Sequence, residues 1–155
     1  MADQTLGFAA QVSAWVRETE QRMTAVFRES AQRVIAEAQK PVAQGGRMRV
    51  DTGFLRASGT ASLNGLPPAT RDRPGEGTFV YNPAAAALVI AGAGIGDTIH
   101  FGWTASYARH REYGTSSQAP DAFMRTAAQQ WPAIVARVSG ELQSRSLSGG
   151  ATPGR

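Results

Sequence analysis

The chain has 155 residues, 42% of them apolar, with no cysteine and two histidines. That length buries one modest core but hardly two, and the composition excludes disulfides, thiolate metal sites and a histidine-based zinc site, whose further ligands would need carboxylates at spacings this sequence lacks. The net charge of +4 rests on arginines and the lone Lys40; the arginines stand singly, several alternating with Glu18, Glu20, Glu29 and Glu37, which reads as a solvated surface rather than a dedicated DNA-binding face.

From about Thr5 to Lys40 there is no proline and, after Gly7, no glycine, while Phe8, Val12, Trp15, Val16, Met23, Val26, Phe27, Val34, Ile35 and Ala38 recur at steps of three and four. This predicts one long helix over residues 1–40 with a single apolar stripe, ended by Pro41 and Gly45-Gly46. A helix of roughly 35 residues reaches roughly 50 Å, more than one small domain needs, so part of the stripe is expected to pack on a neighbouring copy. The opening MADQT lacks a signal-peptide profile and no apolar run is long enough to span a bilayer, so a soluble, cytoplasmically made protein with no membrane contact is expected.

After the Asp51-Thr52-Gly53 turn the period changes. Leu55, Ala57, Gly59, Ala61 and Leu63 alternate with Arg56, Ser58, Thr60 and Ser62, which predicts a half-buried strand. Residues 64–77, rich in proline, glycine and alternating charge, predict a flexible loop. Thr78–Tyr81, Ala86–Ala91 and Thr98–Trp103 read as three further short strands, with turns at Asn82-Pro83 and Gly92–Asp97, completing an antiparallel meander.

Ser106–Tyr113 predicts a short helix stopped by Gly114. Asp121 offers an N-cap to a last helix whose stripe is Phe123, Ala127, Trp131, Ile134, Val138 and Leu142, kinked near Gln129 or restarted with Pro132 in a first turn. Residues 144–155 are too polar and glycine-rich to fold alone. The fold class expected is therefore α+β: a long N-terminal helix, an approximately four-stranded, mainly antiparallel sheet, and a short helix and C-terminal helix packed on it. Residues 1–143 form the single domain and 144–155 a Ser/Gly-rich tail.

No group of residues has the spacing of a catalytic constellation, and no cofactor is expected. Gly92-Ala93-Gly94-Ile95-Gly96 follows a predicted strand, but its GxGxG spacing and the lack of a following helix favour a hairpin turn over a dinucleotide loop. His100 and His110 are not tied by spacing to any nucleophile, nor to Asp97 or Glu112, and read as surface or interface residues. Trp15, Trp103 and Trp131 each fall in register with apolar neighbours, which favours packing over a base-stacking platform. Arg71 and Arg73 lie in the 64–77 loop and are candidate channel or partner contacts.

The run Val50-Asp51-Thr52-Gly53-Phe54-Leu55-Arg56-Ala57-Ser58, followed some fifty residues later by Tyr107-Ala108-Arg109-His110-Arg111-Glu112-Tyr113-Gly114-Thr115 and then Ala119-Pro120-Asp121-Ala122-Phe123-Met124, resembles the tail-completion, or head-to-tail joining, proteins of lambdoid long-tailed bacteriophages. The resemblance covers most of the chain through short motifs. It implies a structural virion protein of the neck, not an enzyme, made in the host cytoplasm and assembled as a homo-oligomeric ring, expected to be a hexamer. Its partners would be the tail tube or tail terminator on one side and the head connector or stopper on the other, with DNA passing through the channel. Asp51, Thr52, Gly53, Leu55, Tyr107, Glu112, Tyr113, Gly114, Pro120 and Phe123 would be structural: Asp51 capping the turn, Gly53 permitting it, Leu55 anchoring the strand, Tyr107 and Tyr113 packing the short helix on the sheet, Pro120 stiffening the approach to the last helix. The tail terminator itself is the alternative within the class, and a small basic nucleic-acid-binding protein, suggested by a pI near 10.3, the alternative outside it.

Overall fold

A computed structural model describes residues 2–149, with side chains from residue 7 onward. Helix α1 (Ala2–Ala38) is uninterrupted, as its proline-free periodicity predicts. Pro41 ends it in an extended conformation and bridges to Met48, closing a tight loop around a 3-10 turn at Val42–Gln44. Then come α2 (Phe54–Ala57), β1 (Gly59–Leu63), α3 (Pro83–Ala91), β2 (Ile99–Trp103), α4 (Ala108–Tyr113), α5 (Phe123–Gln129) and α6 (Trp131–Gly149). The architecture is α+β, with one small antiparallel sheet in which Gly59 faces Trp103 and Leu63 faces Ile99.

Among the described residues the expected four strands are two. Ala86–Ala91 is not a strand but most of α3: Asn82 accepts a hydrogen bond from the Ala84 N–H at 3.0 Å, and Pro83 occupies the first turn, where its missing N–H costs nothing. Four consecutive alanines then favour helix over strand. Thr78–Tyr81 forms no strand; it has no regular structure, and the Phe79 N–H donates to the Thr52 carbonyl at 2.8 Å. The predicted first strand starts late, because Phe54–Ala57 closes a helical turn, the Ala57 N–H reaching the Gly53 carbonyl at 2.8 Å. With α3 in place, Gly92–Asp97 is a helix-to-strand connection rather than a hairpin.

Two apolar clusters hold these elements together. One joins Met48, Phe54, Leu55, Ala105 and Phe123, with Phe79, Trp103 and Tyr107 against them; the other joins Ala31 and Ile35 of α1 to Ile90 of α3, flanked by Ile99 and Phe101 of β2. Edge-on aromatic contacts knit the first, Phe54 to Phe79 at 5.2 Å and Trp103 to Phe123 at 4.8 Å between ring centres. Between the clusters lies Gln39, buried, whose side chain donates to the Arg56 carbonyl at 3.0 Å and accepts from the Trp103 indole at 2.9 Å. Gly59 has no side chain because Gln39 fills that space: a Cβ there would overlap the Gln39 amide and sit 2.8 Å from the Phe101 ring.

The long segment between β1 and α3 has no regular structure, yet it is pinned along the edge of β2. Asn64 bonds to Thr98 and Asp97, Pro67 lies against Gly102, the Arg71 N–H donates to the Thr104 carbonyl, the Arg71 carbonyl accepts from the Ser106 N–H, and Asp72 accepts from the Ser106 hydroxyl. The C-terminal helix restarts at Trp131 with Pro132 in its first turn, and it does not stop at residue 143. Ser144–Gly149 continues α6, its serine hydroxyls bonding back to carbonyls four residues earlier (Ser144 to Gly140, Ser148 to Ser144, 3.0 Å each). An already formed helix extends without a new nucleus. The remainder of the expected tail, residues 150–155, lies outside the described residues.

Candidate assembly interface

The motif residues divide into two groups in space. Around the start of α5, Glu112 is the organising side chain: it is buried, and its two carboxylate oxygens accept the backbone N–H groups of Met124 (2.9 Å) and Arg125 (3.0 Å), with the Arg125 guanidinium closing on the same carboxylate at 2.9 Å. The cap of α5 thus comes from twelve residues upstream. The local candidate, Asp121, does not cap: Ala122 occupies the N-cap position in a left-handed conformation (φ 52°) with no side-chain bond, and Asp121 is buried, its Oδ1 lying 2.8 Å from Arg49 Nε but off the hydrogen-bonding direction. The Arg47 guanidinium donates to the Asp121 carbonyl at 2.8 Å, so two arginines hold this corner.

Gly114 ends α4 at φ 77°, and a Cβ there would meet the Gln118 carbonyl at 2.6 Å and the Pro120 nitrogen at 2.9 Å. Phe123 is buried against Trp103. Tyr113 does not pack the helix on the sheet as expected; it is exposed, with the Arg125 guanidinium 4.7 Å above its ring. Pro120 is exposed beside Gly114.

The second group surrounds the Asp51-Thr52-Gly53 turn. Gly53 sits at φ 83° with the Phe79 carbonyl where a Cβ would stand, so a side chain is excluded on two counts. Leu55 is buried and Tyr107 leans on the Phe54 ring at 6.3 Å. The capping role expected of Asp51 falls instead to Thr52, whose hydroxyl accepts from the Phe54 N–H at 3.4 Å, while Asp51 is exposed at the rim of a cleft. Of the two loop arginines, Arg73 lines that cleft. Arg71 does not; its guanidinium lies 5.4 Å from the centre of the Phe54 ring.

An unpartnered apolar surface lies on α1. Its C-terminal half packs against α3, α5 and α6, but every residue from Gly7 to Glu18 is exposed, an arm of about 18 Å at 1.5 Å per residue. The apolar stripe continues along it uncovered: Phe8 is 68% and Trp15 66% accessible, with Val12, Val16 and Met23 also exposed. On the same helical face the stripe runs into a groove of about 830 Å³ between α1 and α6, walled by Met23, Val26, Phe27, Trp131, Val135 and Leu142. The buried Ser30, also on the groove wall, has a hydroxyl with no hydrogen-bond partner. Beside the groove, Arg33 ties the helices: it donates to Glu29 on its own helix at 3.0 Å and to Glu141 on α6 at 3.1 Å. The Arg33 guanidinium holds the Glu141 carboxyl below the usual carboxylate range, and its own pKa is raised by the same two bonds.

The other sequence candidates are kept apart. His100 is half-buried on β2 opposite Ser62, His110 is exposed on α4, and Asp97 is engaged by the Asn64 amide and the Gly94 N–H, which hold its carboxyl low. The three tryptophans share no surface: Trp15 is on the arm, Trp103 bonds Gln39, and Trp131 walls the groove. Sequence reasoning missed Gln39 and the Glu112 cap, whose partners are remote, and the groove, which exists only once α6 lies on α1. Among the described residues no three metal-ligating side chains cluster, and no helix is long and apolar enough to cross a membrane. No family model, no curated protein and no solved structure matches the chain.

Proposed function

We propose that this chain is a structural protein of a phage neck, located in the virion, which assembles through its N-terminal helix into a ring that completes the tail and joins it to the head connector. The observation that carries this reading is the bare apolar face of the α1 arm and its continuation into the α1/α6 groove. Fully burying a large apolar side chain stabilises by roughly 1.5–3 kcal/mol; the arm's Phe8, Val12, Trp15 and Val16 are 41–68% accessible, so covering them is worth roughly 5 kcal/mol gross. Association costs about 4–15 kcal/mol. The arm alone is therefore marginal, and an arm that also fills a groove is not.

A head-to-tail arrangement, each arm entering the next protomer's groove, uses both surfaces of every copy and closes into a ring when the rotation allows. Sixfold closure, matching tail symmetry, comes with the family resemblance. That the motif residues Gly53, Leu55, Glu112, Gly114 and Phe123 serve packing and capping fits a structural role as well.

Native mass spectrometry across protein concentration, alone and with tail-tube protein, tests the reading. Closed rings, alone or on adding the tube protein, are expected, and Trp15→Glu should return them to monomers with unchanged circular dichroism. Deleting residues 1–20 should likewise impair assembly more than folding. A wild-type protein that stays monomeric at every concentration and ignores the tube protein would sink it.

A further inference from the structure

The cleft beside the Asp51-Thr52-Gly53 turn has a chemistry that assembly does not use. Arg49, Arg56, Arg73 and Arg111, from four separate segments, line a space of about 280 Å³ together with Tyr107, and among the described residues the one carboxylate on its wall is Asp51. Two of the guanidiniums have other ties: Arg49 lies against the buried Asp121, and Arg56 donates to the Gln39 carbonyl at 2.8 Å and lies 5.7 Å from the Tyr81 ring centre. Among the described residues, Arg73 and Arg111 have no carboxylate within ion-pair distance and make no side-chain hydrogen bond.

We propose that this cleft is an anion site that takes a phosphate group. Arginine is charged at every accessible pH; with Arg49 set against Asp121 and Arg56 turned to the Gln39 carbonyl, the unpaired guanidiniums of Arg73 and Arg111, opposed on the wall by Asp51, leave the cleft a surplus of positive charge that focuses a positive potential there. An anion neutralises that surplus. A carboxylate presents its two oxygens in one plane, whereas a phosphate presents three or four oxygens tetrahedrally and suits forks arriving from different directions. The volume falls just under the roughly 300 Å³ at which pockets for drug-sized ligands begin, which suits one phosphate with its water and not a nucleotide. Tyr107, half-buried on the wall, adds a phenol that can donate to the same group.

Two sources share this chemistry, the phosphodiester backbone of DNA and free phosphate. The site does not depend on the neck reading: it would bind on a monomer as well as on a ring.

The test uses the full-length chain with two probes, inorganic phosphate by calorimetry and a labelled DNA duplex of arbitrary sequence by fluorescence anisotropy over a salt series. The variant is Arg73→Gln/Arg111→Gln, compared with Arg137→Gln/Arg145→Gln, which removes the same charge from exposed positions on α6. Each lost phosphate contact lowers the slope of log affinity against log salt by about 1, so the cleft pair should lose about two units of slope on DNA and about tenfold or more in phosphate affinity, while the α6 pair changes neither. Response on both probes identifies the phosphodiester; response to phosphate alone identifies a small free anion. If neither probe binds at low salt, or the two pairs lose equally, the proposal is overturned. Should the double variant fail to fold, Arg73→Gln alone, on an exposed loop, carries the same comparison with a slope change of about 1.

Discussion

Replacing Glu112 with alanine should lower the melting temperature by about 9 °C, while replacing its ion-pair partner Arg125 should lower it by less than about 3 °C. The asymmetry follows from what each side chain does. Glu112 is buried and accepts two backbone N–H groups at the start of α5; losing a helix cap costs typically about 1 kcal/mol and up to about 2, and hydrogen bonds to a charged group contribute about 1.5–3 kcal/mol each. With no side chain within α5 able to replace it, a loss of about 3 kcal/mol is expected. Arg125 has a side chain 45% exposed, so its attraction to the carboxylate is screened and worth under about 1 kcal/mol. An unfolding entropy of about 2.1 cal/mol/K per residue over 155 residues makes each kcal/mol worth about 3 °C. Thermal melts of Glu112→Ala, Arg125→Ala and the double variant, at low and high salt, separate cap from ion pair. Equal losses in the two single variants, both erased by salt, would refute the capping account, as would a loss below about 3 °C for Glu112→Ala.

Two further outcomes are expected. Gln39→Ala leaves the Trp103 indole N–H and the Arg56 carbonyl without their partners, at about 1–2 kcal/mol for each, the lower part of the range for a buried orphan, because both bonds are part-buried; urea unfolding followed by tryptophan fluorescence should show a loss of about 2–4 kcal/mol, and an unchanged midpoint would mean that water or a neighbour replaces the amide without penalty. Acid should destabilise the fold through Asp97 and Glu141. The Asn64 amide and Gly94 N–H lower the first carboxyl and Arg33 lowers the second, so their stabilisation is complete above the ordinary carboxylate range and lost as pH falls through the depressed folded values. Asn64→Ala should flatten the acid limb of a pH series of urea midpoints; a limb unaffected by that substitution would contradict the assignment.

The long helix was legible because nothing interrupts its period over residues 8–38, and the restart at Pro132 because proline acts on its own backbone. Ala86–Ala91 misled because a short apolar run has the same look in a buried strand and a buried helix; Asn82-Pro83, taken for a turn, was the helix start signal. The strand read from the alternation between Leu55 and Leu63 forms only over Gly59–Leu63, after the α2 turn, and all five of its residues are half-buried rather than alternating. The remaining errors share a cause. Glu112 caps a helix it does not precede directly, Asp121 is held by Arg47 and Arg49 some seventy residues away, and the arginine cleft draws on residues 49 to 111. Spacing along a chain carries no trace of such pairings until the elements between them are placed.

The α1 arm has one more consequence, for how far a protomer reaches. Starting an isolated helix is costly, and a segment as short as residues 7–18 would be marginal in water. Here the packed half of α1, with Ala31 and Ile35 in the core, supplies the nucleus, so each arm residue adds one hydrogen bond at near-zero net free energy. The arm therefore unwinds from its tip inward, one residue at a time, and amide exchange should slow steadily from Gly7 toward Ser30. It also makes the arm a ruler: seven residues inserted after Glu18 would move its tip outward by about 10 Å and rotate it by almost two full turns, leaving the body as it was, so that in the proposed ring the contact would shift outward with little change of the face presented.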